Sequence, residues 1–137
     1  MSSTPSSEPL KYVAYEPGVC NIGPEEIARR RRVGHIGLIA SIVVLALLVV
    51  VGAPAWTRLI LVVTAGGSAS GYLQAWFHFC AGFGSKGVYN FGSVGTVQTV
   101  ADADARSRDR RRSAEIGLAS LAIGLVVGVI AVLLPIR

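Results

Sequence analysis

Apolar residues in this chain are not spaced in stripes; they come in three unbroken blocks. Residues 33–52, 56–80 and 114–134 each approach the ~20 residues that an α-helix needs to cross ~30 Å of hydrocarbon, and none carries a charge in its middle. Arg29, Arg30, Arg31 and Arg32 stand before the first block, and Arg110, Arg111 and Arg112 before the third. A chain of 137 residues is long enough to build a soluble core. The segregation of charge away from the blocks argues against one. A secretory signal does not explain the first block, which follows a long polar stretch and is too long for an h-region. The expected fold class is an all-α membrane protein with three transmembrane helices: a helical hairpin plus a third span.

Positive charge beside short spans stays on the cytoplasmic side. Lys11 and the first arginine cluster therefore place the N-terminus inside. The first span leads out to a tight turn at residues 52–57, the second returns to Lys86 and the basic stretch 106–112, and the third exits close to Arg137. The expected topology is N-terminus in and C-terminus out, in the inner (cell) membrane of a prokaryote. The chain divides into a cytoplasmic tail (1–23), a helix containing the first span (24–52, span 33–52), the second span (56–80), a cytoplasmic Gly/aromatic then basic loop (81–113) and the third span (114–134).

Apolar residues make up 52% of the chain, and the net charge is +5. That charge sits on span flanks, where arginines orient a membrane protein and meet anionic headgroups. Membrane lipids are the expected contact, and nucleic acid is not. Residues 1–9 are rich in Ser and Pro and read as disordered. Residues 11–19 carry two tyrosines and read as a segment lying on the membrane surface or on a partner. Gly23-Pro24-Glu25-Glu26 reads as a helix start, because proline at the first position lacks only a donor that would be unpaired anyway and acids favour the positive end of the dipole. Glu25–Arg29 and Glu26–Arg30 are i,i+4 pairs. Asp102–Arg106 and Asp104–Arg108 repeat the spacing and predict a third helix beginning near Gln98. Ile36-Gly37-Leu38 after one arginine cluster is echoed by Ile116-Gly117-Leu118 after the other, in the way that inside-to-outside spans commonly begin.

Small residues crowd the second and third spans. Gly67 and Gly71, and Gly124 and Gly128, are spaced by four, which lets helix backbones approach where lipid offers no hydrophobic drive to association. Such faces serve either packing within the chain or assembly as a homo-oligomer or part of a larger membrane complex. Gly66-Gly67 could also break the second helix, as in transporters. Yet no acid or base lies near mid-membrane to mark an ion path, and Gln74 is the one strongly polar side chain within a span.

Cys20 and Cys80 both fall on the cytoplasmic side, where thiols stay reduced. They are the candidate reactive thiols, with Cys80 favoured by Lys86 nearby. Cys20, His35, His78 and Cys80 could converge as a two-Cys, two-His metal site, or the two histidines as axial haem ligands. The simpler expectation is interfacial histidines, small buried cysteines and no cofactor. Gly82-Phe83-Gly84-Ser85-Lys86-Gly87 lacks the order of a phosphate loop and has no strand before it. Its glycines turn the chain at the membrane exit. The sequence Val88-Tyr89-Asn90-Phe91-Gly92 is more specific than a linker needs and predicts a defined fold or contact surface. No catalytic constellation is legible.

Asn21-Ile22-Gly23 with the following acids and arginines, Gly34 opening the first span, and Phe79-Cys80-Ala81-Gly82 closing the second give residues 21–91 a resemblance to the YgaP-like transmembrane domain family of unknown function. Its members occur alone or behind a rhodanese domain. The resemblance implies a two-helix hairpin with both ends facing the cytoplasm and a role in, or anchored near, sulfur chemistry. Cys80 is the residue it carries over. This chain departs in having Ala81 where the family has proline, and in adding a third span. Three functions follow as expectations: a non-enzymatic accessory or assembly subunit working through small-residue faces, a sulfur-handling or redox protein using Cys80, and a small transporter.

Overall fold

The computed structural model describes residues 15–136. It is mostly helical: α1 (Pro24–Val50), a 3₁₀ segment (Ala55–Ile60), α2 (Leu61–Phe77), a short α3 (Ala81–Lys86) and α4 (Ala103–Leu133). Two of these, α1 and α4, are long and apolar enough to cross a membrane. The expected disorder of residues 1–9 and the role of Lys11 lie outside the described residues.

α1 starts where its sequence signals it. Pro24 occupies the first turn with Glu25 and Glu26, and the helix ends before Gly52, whose φ of 67° makes the turn into α2. The second apolar block, expected as one helix over 56–80, is divided. It opens as the 3₁₀ segment, becomes α2 at Leu61 and stops at Phe77 because His78 adopts a left-handed conformation (φ 54°). Phe79 and Cys80 therefore lie outside the helix. No break occurs at Gly66-Gly67.

The expected loop 81–113 is folded. After α3, Gly87 (φ 72°) turns the chain into β1 (Val88–Tyr89), which pairs antiparallel with β2 (Gln98–Thr99). The strands are a small addition to the helical frame, and α4 begins at Ala103 rather than near Gln98. Asp102 starts that helix by accepting a hydrogen bond from the Ala105 amide at 3.1 Å, as an N-cap does. Asp104 pairs with Arg108 at 2.8 Å, both exposed, a contact worth little by itself.

α2 packs against α1 on one side and α4 on the other, while α1 and α4 scarcely touch. Along the first interface Gly34 meets Gly71 and Tyr72, Gly37 meets Ser68, and Ser41 donates to Thr64 at 2.9 Å. These pairs run in opposite directions along the two helices, so α1 and α2 are antiparallel. Along the second, Gly66 meets Gly124 and Val62 meets Gly128, again antiparallel. Gly71, Gly124 and Gly128 are thus used inside the chain. Gly67 is not: nothing lies within 4 Å of where its Cβ would be, and Gly66 takes its place at the interface. Gly117 likewise faces open space although its counterpart Gly37 is packed, so the sequence echo is not a structural repeat of contacts.

The burial pattern is inverted relative to a soluble protein. The buried residues of α4 are Ala105, Asp109, Ser113, Ile116, Ser120, Gly124, Gly128 and Ala131, one stripe at spacings of three and four. Large aliphatics such as Leu118, Leu121 and Val126 point outward, as do Ile36, Ile39 and Ile42 of α1. Small and hydroxylated residues inside with large apolar residues outside is the arrangement expected of helices packed in hydrocarbon.

Candidate functional site

The folded residues outside the apolar helices form a cap built around two buried asparagines. Asn21 Oδ1 accepts from the Cys80 amide at 2.6 Å, and its Nδ2 donates to the Cys80 carbonyl at 3.1 Å. Its backbone amide donates to the His78 carbonyl at 3.1 Å, and its carbonyl accepts from the Asn90 amide at 2.9 Å. One side chain thus holds both backbone groups of Cys80. Asn90 Nδ2 donates to the Ser93 carbonyl at 2.8 Å and lies 3.4 Å from Glu26 Oε1, while its Oδ1 accepts from the Gly92 amide at 2.9 Å. Gly23 is required between them, since a Cβ there would press on the backbone of Phe91. Gln74, the polar side chain read within the second span, accepts from the Ala81 amide at 3.0 Å and steadies the start of α3.

Cys80 is 3% exposed, among Ile22, Ile27, Ala75 and Phe83. Arg30 reaches it from the first turns of α1, with Nη2 2.8 Å from Sγ. The same guanidinium lies 3.4 Å from the buried Glu26 carboxylate and 5.7 Å from the centre of the Phe83 ring. Burying a charged pair is costly unless its geometry is fixed and its remaining donors are used. Here the Arg30 cation lies against a carboxylate, a ring face and the sulfur, while its buried Nε has no hydrogen-bond partner among the described residues. Glu25 does not pair with Arg29 as its spacing predicted; it accepts from the Val94 amide at 3.1 Å, and Arg29 lies 3.9 Å from Glu26 instead.

Cys20 is different. It too is buried, but its thiol faces the Ile22 carbonyl at 3.7 Å and burial raises its pKa. The two cysteines are not joined. Nor do Cys20, His35, His78 and Cys80, the four residues that could have converged on a metal, come together. Among the described residues no three His, Cys, Asp or Glu side chains gather closely enough to hold a metal ion. His78 instead caps α2, and His35 Nδ1 lies 2.6 Å from the Tyr72 hydroxyl.

The segment before α1, expected on a membrane surface or a partner, lies on the chain itself as far as it is described. The buried Asp109 of α4 accepts from the Tyr15 hydroxyl at 2.5 Å and the Gly18 amide at 2.7 Å. Burial and the Asp109 carboxylate raise the Tyr15 pKa well above that of an ordinary phenol. Tyr15 also stacks on Tyr89 with ring centres 4.7 Å apart. Of the two arginine clusters, Arg29, Arg31 and Arg32 remain exposed while Arg30 turns inward. Arg110 and Arg111 are exposed, and Arg112 covers the Phe77 ring at 4.4 Å. At the opposite end of the helices, Arg58 is buried and donates to the carbonyls of Ala131, Leu134 and Ile136 at 2.6–3.0 Å. It closes the C-terminus of α4. No protein-family model, curated protein or solved structure matches the chain.

Proposed function

We propose that this chain is a three-span membrane protein, N-terminus in and C-terminus out, whose cytoplasmic cap holds Cys80 as a sulfur-handling thiol. The inverted burial of α1 and α4 supports the membrane reading. The antiparallel α2, with its 3₁₀ lead-in, supplies the middle span. The observation that carries the functional reading is the 2.8 Å approach of Arg30 Nη2 to Cys80 Sγ. That contact fixes the sulfur beside a positive charge, the kind of surrounding in which nucleophilic cysteines are found. The resemblance of Phe79-Cys80 to a family found with rhodanese domains agrees with this reading.

The apolar residues around Cys80 limit its substrate to a small species. A hydropersulfide, R–S–S–H, fits. Cys80 Sγ attacks the outer sulfur, the S–S bond of the donor breaks, and the inner sulfur leaves with the thiol's proton as R–S–H. Cys80 then carries the transferred sulfur with its hydrogen as a persulfide. Incubating the membrane-embedded chain with a small persulfide donor should add the mass of one sulfur atom to the peptide containing Cys80 and leave Cys20 unmodified. Modification of neither cysteine, or of Cys20 alone, would contradict the reading.

A second reading, an accessory subunit of a membrane complex, draws on a different surface. Tyr15, Tyr89, Phe91 and Thr96 line a cleft in the cap, and Val94 and Val97 stand exposed on the hairpin beside it. The small-residue faces that first prompted this reading are largely turned inward, so the cap is the better docking surface. Assembly through it survives Cys80→Ser, whereas sulfur transfer does not.

A further inference from the structure

Because α1 and α4 each pack on α2 but scarcely on each other, a groove is left over α2. It has a volume of about 500 Å³ and is almost wholly apolar, walled by Leu38, Ile42 and Leu45 of α1 and Val127 of α4, with Ala65 and Ala69 on its floor. The stretch of α2 from Leu61 to Leu73 that floors it is ~18 Å long at ~1.5 Å per residue. That is close to one leaflet of a ~30 Å hydrocarbon core.

The groove does not end blindly. Tyr72 and Leu73 also line a second cleft with Arg31, His35 and Trp76 at the cytoplasmic end of the helices. Along α1, Arg31, His35, Leu38, Ile42 and Leu45 follow one another at spacings of four and three, so they share one helix face. The two clefts adjoin at Tyr72 and Leu73, and together they form a channel with a cation at one end and an apolar groove at the other. Arg31 makes no ion pair with a carboxylate among the described residues, unlike Arg29 and Arg30. His35 and Tyr72 are held against each other at its edge, and Trp76 is 78% exposed there.

We propose that this channel binds one anionic phospholipid of the cytoplasmic leaflet, with its phosphate against Arg31 and the edge of the His35–Tyr72 pair and an acyl chain along α2. The inference rests on the membrane reading above, and charge complementarity at the mouth selects the occupant. A neutral helix from a second copy would leave Arg31 unmatched. A zwitterionic lipid offers the same chain but weaker net attraction to the cation.

The test uses the full chain in phosphatidylcholine bilayers containing a small fraction of brominated-chain phosphatidylglycerol or brominated-chain phosphatidylcholine. Trp76 fluorescence is read in a Trp56→Phe background, and Trp56 fluorescence in a Trp76→Phe background. The expected result is that brominated phosphatidylglycerol quenches Trp76 several-fold more strongly than the phosphatidylcholine probe, while Trp56 does not discriminate. Arg31→Gln, or Ala69→Phe filling the floor, should bring the two probes to parity, and Gly67→Leu on the open face of α2 should not. Parity in the parent chain would overturn the proposal without needing any variant to fold. Displacement by free glycerol phosphate would assign the mouth to a soluble phosphate and overturn the lipid. Quenching of Trp56 but not Trp76 by either probe would mean that protein fills the groove. Quenching of neither tryptophan would instead remove the membrane reading itself.

Discussion

The cap and the spans solve opposite packing problems with opposite side chains. In the cap, polar groups of low exposure are joined to specific partners: Asn21 to Cys80, Asp109 to Tyr15 and Gly18, Asn90 to Glu26 and Ser93. Between the long helices, the closest approaches bring backbone near backbone, made possible by what is missing from Gly71, Gly66 and Gly124. On the proposed membrane reading, the difference follows from the solvent. Against water, burying apolar surface supplies the drive, and buried hydrogen bonds choose the arrangement. Against lipid, apolar side chains are no better inside than out, so close approach of small residues has to hold the helices together. Cys80 lies at the junction, its backbone fixed by a polar clamp and its sulfur facing a cation anchored on α1.

Substitutions separate the two regimes. The largest effect should come from Gly71→Leu, whose new side chain would meet the Gly34 amide and the Arg30 carbonyl, backbone atoms that cannot rotate away. Overpacking of that kind costs about 3 kcal/mol or more, and it should appear as loss of the folded fraction in a detergent unfolding titration. Asn21→Ala removes both bonds to the Cys80 backbone and leaves two buried polar groups unpaired, at about 2–4 kcal/mol together. Its distinctive outcome is that Cys80, no longer held beside Arg30, is alkylated at a rate that Arg30→Gln does not change, while the helices stay folded.

Smaller effects sharpen the comparison. Tyr15→Phe deletes one hydrogen bond to Asp109 and should cost about 1 kcal/mol. Because burial and Asp109 raise the Tyr15 pKa, its contribution is complete below the ordinary phenol value of about 10 and is lost as pH rises beyond it. Parent and variant stabilities should therefore converge only in strong alkali, which thermal unfolding across pH would reveal. At the bottom of the scale stands Gly67→Leu. It belongs to the same sequence pattern as Gly71 but faces open space, so unfolding should shift by less than about 0.5 kcal/mol.

Much of the helical frame was legible in the sequence because the signals are local. Pro24 with its acids starts α1, the long apolar blocks give α1 and α4, and Gly52 turns the chain. Spacing of glycines at four marked a packing face but could not choose between Gly66 and Gly67, since one residue of rotation decides which one meets a neighbour. The end of α2 was missed because His78 carries no local mark of a left-handed residue. Hydrophobicity continues through Phe79 and Cys80 even though helix geometry does not. The cap was hidden for another reason. Asn21 lies 59 residues from Cys80, and Arg30 lies 50 from it. Neither spacing has a periodic signature. Arg30 also sits in a run of four arginines whose obvious purpose is orientation. Even so, the specificity of residues 88–92 pointed to a defined fold or contact surface, and the buried Asn90 stands at the centre of such a fold.

The central claim is that Arg30 makes Cys80 a reactive thiol on the cytoplasmic side, and labelling tests it directly. A Cys20→Ser chain would be placed in right-side-out and inside-out membrane vesicles and exposed to a small, membrane-impermeant thiol reagent at neutral pH, with and without Arg30→Gln. The account predicts modification of Cys80 in inside-out vesicles only, slowed several-fold by Arg30→Gln but not by Arg31→Gln. Labelling from the outer face, or a rate indifferent to Arg30, would contradict it.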